Sequence, residues 1–211
     1  MASSPLARGA PQGREAEPPP GAWRSYALEG VTQHLRECEG LQILDFGGLN
    51  QANLDYVTGL GHRLYAEDLL RTYDTFFSPQ EISSRQLTAE RIESFLDQTM
   101  AFPDQGCDGA MVWDTLQFLP LKMAEALVER LHRILSPNAP VLAFFHRDAT
   151  APVCASICRV AGSRHLTVEP RGGKRPLESF PPRAIERLFG RFRAVKFYLT
   201  RENHQEVIAR R

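Results

Sequence analysis

The segment LQILDFGGLNQANLDYV, residues 41–57, decides how the rest of the chain is interpreted. Its apolar start, residues 41–44, is typical of a buried strand, and this strand ends at the acid Asp45. Gly47 and Gly48 follow, and such residues allow a tight turn or the close approach of another group to the backbone. The remaining apolar residues recur at helical spacing. The segment therefore predicts a strand, a glycine turn and a short helix.

Strands and helices alternate beyond this segment. Apolar runs predict strands at residues 41–45, 63–66, 108–113 and 141–146. Helical spacing of apolar residues predicts helices starting near residue 26 and at residues 51–60, 88–98, 121–135 and 182–189. Strands that are apolar on both faces and separated by helices indicate an α/β fold, with a mostly parallel sheet covered on both sides. The last residues, 195–209, predict two strands joined by a tight polar turn, hence an antiparallel hairpin at one edge.

Composition limits the classes of function. The chain has 211 residues, which suits one domain, and 25 basic against 25 acidic residues. Because this balance leaves no excess of positive charge, we do not expect nucleic-acid binding. No apolar run is long enough to span a membrane. Residues 1–22 are rich in Pro and Gly and lack the apolar core of a signal peptide. We therefore expect a disordered tail, a single domain over residues 23–211 and a cytoplasmic location, with the oligomeric state left open.

Four motifs occur in an order that is typical of one family. These are ILDFGG, with Asp45 and Gly47; LYAEDL, with Glu67; CDGAMVWDTLQFL; and LHRILSPNAPVLAFF. In this order and spacing, residues 23–211 resemble the class I S-adenosylmethionine-dependent methyltransferases. The chain departs from the family where Leu49, Asn50 and Gln51 stand in place of later glycines of the loop.

The resemblance implies a seven-stranded, mostly parallel, doubly wound sheet with helices on both faces, the strand of residues 41–45 at its centre, and S-adenosylmethionine as cofactor. Ligands of such sheets bind beyond the carboxyl ends of the strands. The residues that it places at the cofactor are Asp45, Gly47, Gly48, Asn50, Glu67, Asp68, Trp113 and Asp114.

Each implied role follows from the chemistry of the side chain. Gly47 would allow close approach of the cofactor, and the Asn50 amide would replace lost backbone contacts. Glu67 or Asp68 would accept hydrogen bonds from ribose hydroxyls. Asp45 would lie near the positively charged amino-acid end of the cofactor.

Structural roles are open for several of the same residues. Asp68 and Asp114 precede predicted helices, so either carboxylate is also expected to serve as a helix cap. Trp113 is equally consistent with a core aromatic residue. His146, at the end of a predicted strand, is a weak candidate for orienting or deprotonating an acceptor, and a structural histidine is the other interpretation.

Two further features have weaker interpretations. Cys154 and Cys158 have a spacing that fits one helix face, but they lack the paired spacing of a zinc site, so we expect no metal. Residues 171–176, RGGKRP, predict a solvated loop, or a loop that binds an anionic acceptor.

Three functions remain open from the sequence. The first is a methyltransferase acting on an oxygen or nitrogen atom of a small molecule. The second is a methyltransferase-like protein that has lost catalysis and serves as a binding or scaffold protein, which the replaced glycines favour. The third is a nicotinamide-dependent enzyme, which the absence of the dinucleotide-binding glycine pattern disfavours.

Overall fold

A computed structural model describes residues 17–147, 150–200 and 204–211 of the chain. Most of the predicted disordered tail, residues 1–16, lies outside the described residues. Residues 17–22 form neither helix nor strand, and all but the half-buried Ala22 are exposed. The first strand begins at Trp23.

Strands and helices alternate as the sequence predicts. The strands of the described segments are β1 (Trp23–Arg24), β2 (Gln42–Asp45), β3 (Arg63–Ala66), β4 (Gly109–Trp113), β5 (Pro140–His146), β6 (Val153–Val160), β7 (His165–Arg175), β8 (Ala194–Leu199) and β9 (His204–Arg210). The α-helices are α1 (Tyr26–Glu37), α2 (Gln51–Gly59), α3 (Leu69–Phe76), α4 (Pro79–Ser84), α5 (Ala89–Thr99), α6 (Leu121–Ile134) and α7 (Pro182–Leu188), and a 3-10 helix spans Thr115–Phe118. Among the helices of these segments, none is long and apolar enough to cross a membrane.

The main sheet has the strand order β3-β2-β4-β5-β9-β8. The first four strands are parallel, and β9 is antiparallel to both of its neighbours. Val195 lies opposite Ala209, so the chain ends in an antiparallel hairpin at one edge. The α/β class with a mostly parallel sheet is confirmed.

The predicted seven-strand count is wrong, because this sheet has six strands within residues 17–147, 150–200 and 204–211. The chain between β3 and β4 forms α3, α4 and α5 and adds no strand. A capping box at Ser78 and Glu81 starts α4, and such reciprocal hydrogen bonds stabilise a helix start. As a result β2 is second from an edge of the sheet, although the sequence placed it at the centre.

Helices cover both faces of the main sheet. One apolar cluster lies under α3, α5, α6 and α7, and its fully buried members include Phe95, Leu127 and Phe189. The other lies under α1 and α2 and includes Leu28 and Val57. This second cluster also contains residues of β6 and β7.

A second sheet was not predicted. It has the order β1-β7-β6 and is antiparallel throughout. Ser25 donates its backbone N–H to the carbonyl of Arg164 at 2.9 Å, next to the turn between β6 and β7. Val160 and Leu166 are buried against the core. The β6–β7 hairpin is therefore part of the domain core.

Two predictions on this segment are wrong. Cys154 and Cys158 lie on strand β6, whereas their spacing suggested a helix face. A spacing of four residues fits a strand as well, since side chains alternate between two faces. The predicted loop of residues 171–176 is, up to Arg175, the end of β7, where backbone pairing with β6 outweighs the low strand preference of glycine.

Candidate functional site

The predicted residues lie together at the carboxyl ends of three neighbouring strands, β2, β3 and β4. This edge of the main sheet, formed by strand ends, is distinct from the lateral edges formed by β3 and β8. Trp113, at the end of β4, donates from its indole Nε1 to Asp45 Oδ1 at 2.6 Å. The backbone N–H of Gly48 donates to the carbonyl of Glu67 at 3.2 Å. Parallel strands end at the same edge, which is why residues distant in sequence meet here.

Asp45 is fully buried and its carboxylate is already hydrogen-bonded by the protein. The backbone N–H of Gly47 donates to Oδ1 at 2.9 Å, in addition to the Trp113 indole, and the Asn53 amide donates to Oδ2 at 2.7 Å. Burial raises the pKa of Asp45 above its ordinary value, and these hydrogen bonds oppose the rise. Asp45 thus functions as the acceptor that holds the loop, β4 and α2 together.

Asn53 is the residue that sequence reasoning missed. Its side chain is fully buried and donates to Asp45 at 2.7 Å and to the carbonyl of Cys158 at 3.1 Å. Its Oδ1 accepts from the backbone N–H of Val160 at 2.8 Å. The signal was its position four residues before Val57, on the buried face of α2. Asn53 joins α2 and the strand end to β6.

The two glycines lie against protein groups. A Cβ on Gly47 would lie 2.8 Å from Trp113 Cδ1, and one on Gly48 would lie 3.2 Å from Asp68 Cβ. Gly48 has φ +84°, which favours glycine, and Gly47 forms an isolated bridge with Asp68. The close approach that the sequence predicted for a ligand is made here by Trp113 and Asp68.

Asn50 and Glu67 also have partners within the chain. Asn50 caps α2, with its Oδ1 accepting from the backbone N–H of Asn53 at 3.0 Å, and its Nδ2 lies 3.5 Å from the carbonyl of Cys158. Glu67 accepts a hydrogen bond from the hydroxyl of Thr72.

Asp68 combines two contacts. It caps α3 by accepting from the backbone N–H of Arg71 at 3.1 Å, so its interpretation as a helix cap is confirmed. It also forms a two-point ion pair with Arg171 of β7, with N–O distances of 2.7 and 2.9 Å. Paired hydrogen bonds of this kind are the strong form of a salt bridge.

The geometry can now be compared with known structures. No protein-family model and no curated protein matches the sequence. A SAM dependent methyltransferase from Archaeoglobus fulgidus is similar in structure, with a TM-score of 0.51 and 12% identity over 87% of this chain and 91% of that chain. This chain has the class I methyltransferase fold.

A second solved structure is less similar. It is the 1,6-didemethyltoxoflavin-N1-methyltransferase of Burkholderia thailandensis with bound 1,6-didemethyltoxoflavin and S-adenosylhomocysteine, with a TM-score of 0.47 and 15% identity over 89% of this chain and 79% of that chain. At identities this low, the likeness describes the fold alone.

In the methyltransferase fold, a cofactor would lie over the ends of β2, β3 and β4, and the residues present do not fit it in this conformation. The side chain of Asn53 connects the end of β2 to β6 across this edge. Of the residues predicted to contact the cofactor, only Asp68 lines the cleft of about 490 Å³ that opens beside the edge.

The β6–β7 hairpin is held over this edge at further points. The Asp114 carboxylate accepts hydrogen bonds from Ser156 of β6. Asp74 of α3 pairs with Arg175 of β7 at 2.6 and 2.8 Å. Together with Asn53, these contacts attach both strands of the hairpin to α2, to α3 and to the residue that follows β4.

Trp113 and Asp114 are core residues in this methyltransferase fold. Trp113 is 1% exposed, adopts φ +55° and packs against Phe144 with ring centroids 5.7 Å apart. Asp114 begins the 3-10 helix but makes no side-chain cap, so that predicted role is wrong. Its buried Oδ2 has no hydrogen-bond partner among the described residues.

Burial raises the pKa of Asp114 from 3.8 to about 6, although the Ser156 hydrogen bonds oppose the rise. The folded protein therefore binds more protons than the unfolded chain between these values, and stability falls as pH rises through them. We expect Asp114→Asn to remove this loss, since asparagine stays neutral. The gain over wild type should be on the order of 2–3 kcal/mol greater at pH 7 than at pH 4. Urea denaturation across this range measures the difference, and a pH-independent difference would contradict the shift.

His146 lies at the end of β5, and its described contacts are with Gln117 and His204. Its backbone N–H and carbonyl both bond the side chain of Gln117, and its ring centroid lies 4.3 Å from that of His204. Burial, followed by the nearby His204, lowers the pKa of His146 to about 4. The ring is therefore neutral near pH 7, and these contacts favour the structural interpretation.

The cysteines make no metal centre in the described segments. Cys158 is buried, and burial raises the pKa of its thiol well above the ordinary value. Among the described residues, no group of three or more His, Cys, Asp or Glu side chains is placed to hold a metal ion.

Proposed function

We propose that this chain is a binding protein built on the methyltransferase fold, in which the β6–β7 hairpin takes the place of a cofactor at the strand ends. One observation supports this proposal above the others. The buried Asn53 amide joins the Asp45 carboxylate to the backbone of β6, so the chain itself satisfies the Asp45 carboxylate at this edge. The proposal develops the second of the functions left open by the sequence.

The energetic argument concerns the displacement of the hairpin. Val160 and Leu166 are 6% and 0% exposed, and burial of such side chains contributes about 1.5–3 kcal/mol each. A cofactor that must first expose them loses that free energy from its own binding. Each 1.4 kcal/mol corresponds to about a tenfold loss of affinity, so the loss would be on the order of a hundredfold or more.

A second candidate is an S-adenosylmethionine-dependent methyltransferase with a small-molecule acceptor. It is favoured by Asp45, Gly47 and Glu67, which occupy the positions that the family motifs give them, and by the fold shared with the Archaeoglobus protein. In this candidate the hairpin moves away before the cofactor binds. This candidate includes a cytoplasmic location and an oxygen or nitrogen atom as the methyl acceptor.

A titration separates the two candidates. We expect neither S-adenosylmethionine nor S-adenosylhomocysteine to change the melting temperature of the full chain or to produce a heat of binding, with NAD as the control. The second candidate instead gives a rise on the order of 5–11 °C at a hundred times the dissociation constant, since such binding adds about 2.7 kcal/mol. A rise of that size with the methyltransferase ligands alone would overturn the first proposal.

The same titration of a variant with a more weakly attached hairpin tests whether the hairpin excludes the cofactor. Arg171→Ala together with Arg175→Ala removes both ion pairs between β7 and α3. If the hairpin alone keeps the cofactor out, this variant should bind S-adenosylhomocysteine more tightly than wild type does. Equal binding by both proteins would indicate that the hairpin is not the obstacle.

A further inference from the structure

A cleft of about 490 Å³ lies between α3, α4 and the end of β7. It shares only Asp68 with the residues that the sequence placed at a cofactor. What it binds is a question beyond the function proposed above, and three properties of its lining bear on the answer.

The first property is an excess of positive charge. Five basic side chains and two acidic side chains line the cleft, whereas the chain as a whole is neutral. Three of the arginines are neutralised, because Arg171, Arg175 and Arg85 pair with Asp68, Asp74 and Glu178. The other two basic residues are Arg71 and Lys174. Within the described segments, neither side chain has an ion-pair or hydrogen-bond partner.

The second property is a bulge in β7 that lies between two of the basic residues of the cleft. Lys174 lies opposite Cys154, whereas Arg171 lies opposite Ala155, so two glycines have no separate partner in β6. Gly172 in this bulge has φ +66°, and Arg171 and Lys174, which flank the two glycines, both line the cleft.

The third property is a small apolar surface. Among the apolar lining residues, the half-buried Ile82 and the exposed Pro176 are open to a ligand, whereas Leu70, Tyr73 and Phe118 are 3%, 1% and 3% exposed. The cleft thus presents a limited aliphatic surface beside two cations that have no partner among the described residues.

We propose that this cleft binds a small phosphomonoester whose apolar group packs on Ile82 and Pro176. Arg71 and Lys174 hold the phosphate, since a guanidinium matches the geometry of phosphate oxygens and an ammonium adds a point charge. Two unpaired cations match the double negative charge of a phosphomonoester better than the single charge of a carboxylate.

The experiment is a calorimetric titration of the full chain with 1-naphthyl phosphate, with 1-naphthol and inorganic phosphate as matched probes. We expect saturable binding of 1-naphthyl phosphate and weaker binding of each half. Arg71→Ala and Lys174→Ala should each weaken it by about tenfold or more, the effect of losing a hydrogen bond to a charged group. Arg63→Ala, which removes an exposed cation on β3, should leave it unchanged.

Three results would overturn the proposal. They are no saturable binding of 1-naphthyl phosphate, equal binding of 1-naphthol, and equal losses in the Arg63 variant and the cleft variants. Arg71 and Lys174 are exposed, so their variants should fold, which circular dichroism checks. The outcome is independent of the S-adenosylhomocysteine titration, because that titration tests the strand ends.

Discussion

Asn53→Ala is expected to lower the free energy of unfolding by about 3–5 kcal/mol. Its amide bonds Asp45, the carbonyl of Cys158 and the N–H of Val160, all inside the protein. Alanine leaves these three groups without that partner, and each buried group that loses its hydrogen bond costs about 1–3 kcal/mol. Urea denaturation of wild type and variant measures the loss.

Two control variants of α2 separate the loss of the three Asn53 hydrogen bonds, which bridge α2 and β6, from general effects on the helix. Gln51→Ala removes an exposed contact with Asp55 and should change stability by less than about 0.5 kcal/mol. Asn50→Ala removes the helix cap and should cost about 1 kcal/mol. A loss for Asn53→Ala no larger than that for Asn50→Ala would show that the bridge contributes little.

Hydrogen exchange connects this variant to function. If Asn53 fastens β6 over the strand ends, its loss should speed exchange at the amide of Val160 more than at amides of β4. Equal acceleration in both strands would mean that the variant destabilises the domain as a whole.

The parallel sheet was predictable because its signals are local. Strand β3 has the bounds that the sequence predicts, and β4 and α6 agree within one residue at each end. Buried strands are continuous apolar runs and covering helices repeat every 3.6 residues, so both patterns can be recognised in one short window. The same patterns also predicted that the candidate site lies at the carboxyl ends of the strands.

The second sheet was not predictable because its signals are ambiguous or distant. Strand β6 has buried residues at irregular intervals, and its cysteine spacing fits a helix as well as a strand. Strand β7 contains Gly172 and Gly173, which are typical of loops. What fixes both strands is their pairing with each other, together with the bond of β6 to Asn53, more than a hundred residues away in sequence.

The candidate site was likewise predictable only in part. Their presence at one edge could be inferred from strand ends, but their partners could not. Asp45 and Gly47 were assigned to a ligand, whereas their contacts are with Trp113 and Asn53. A glycine that faces a ligand and a glycine that faces an indole are identical in sequence, because both are required only by the space available.

Gly47→Ala distinguishes these two explanations, and we expect it to destabilise the protein by about 2–4 kcal/mol. The added Cβ would lie 2.8 Å from Trp113 Cδ1 and 3.2 Å from Asp45 Oδ1. The indole cannot easily give way, since it is buried against Phe144 and bonded to Asp45. Overpacking of this kind costs about 1–3 kcal/mol, and a weakened Trp113–Asp45 hydrogen bond adds to it.

Matched variants make the test of Gly47 specific. Gly59→Ala, in α2 with no atom within 4 Å of the added Cβ, should leave stability unchanged or raise it. In a Trp113→Phe background the cost of Gly47→Ala should fall by more than about 1 kcal/mol, because the clashing ring is gone. If Gly47 serves only the approach of a cofactor, Gly47→Ala will leave the unfolding free energy of the ligand-free protein unchanged in both backgrounds. That result would show that the space at Gly47 serves a ligand, and it would favour the methyltransferase candidate.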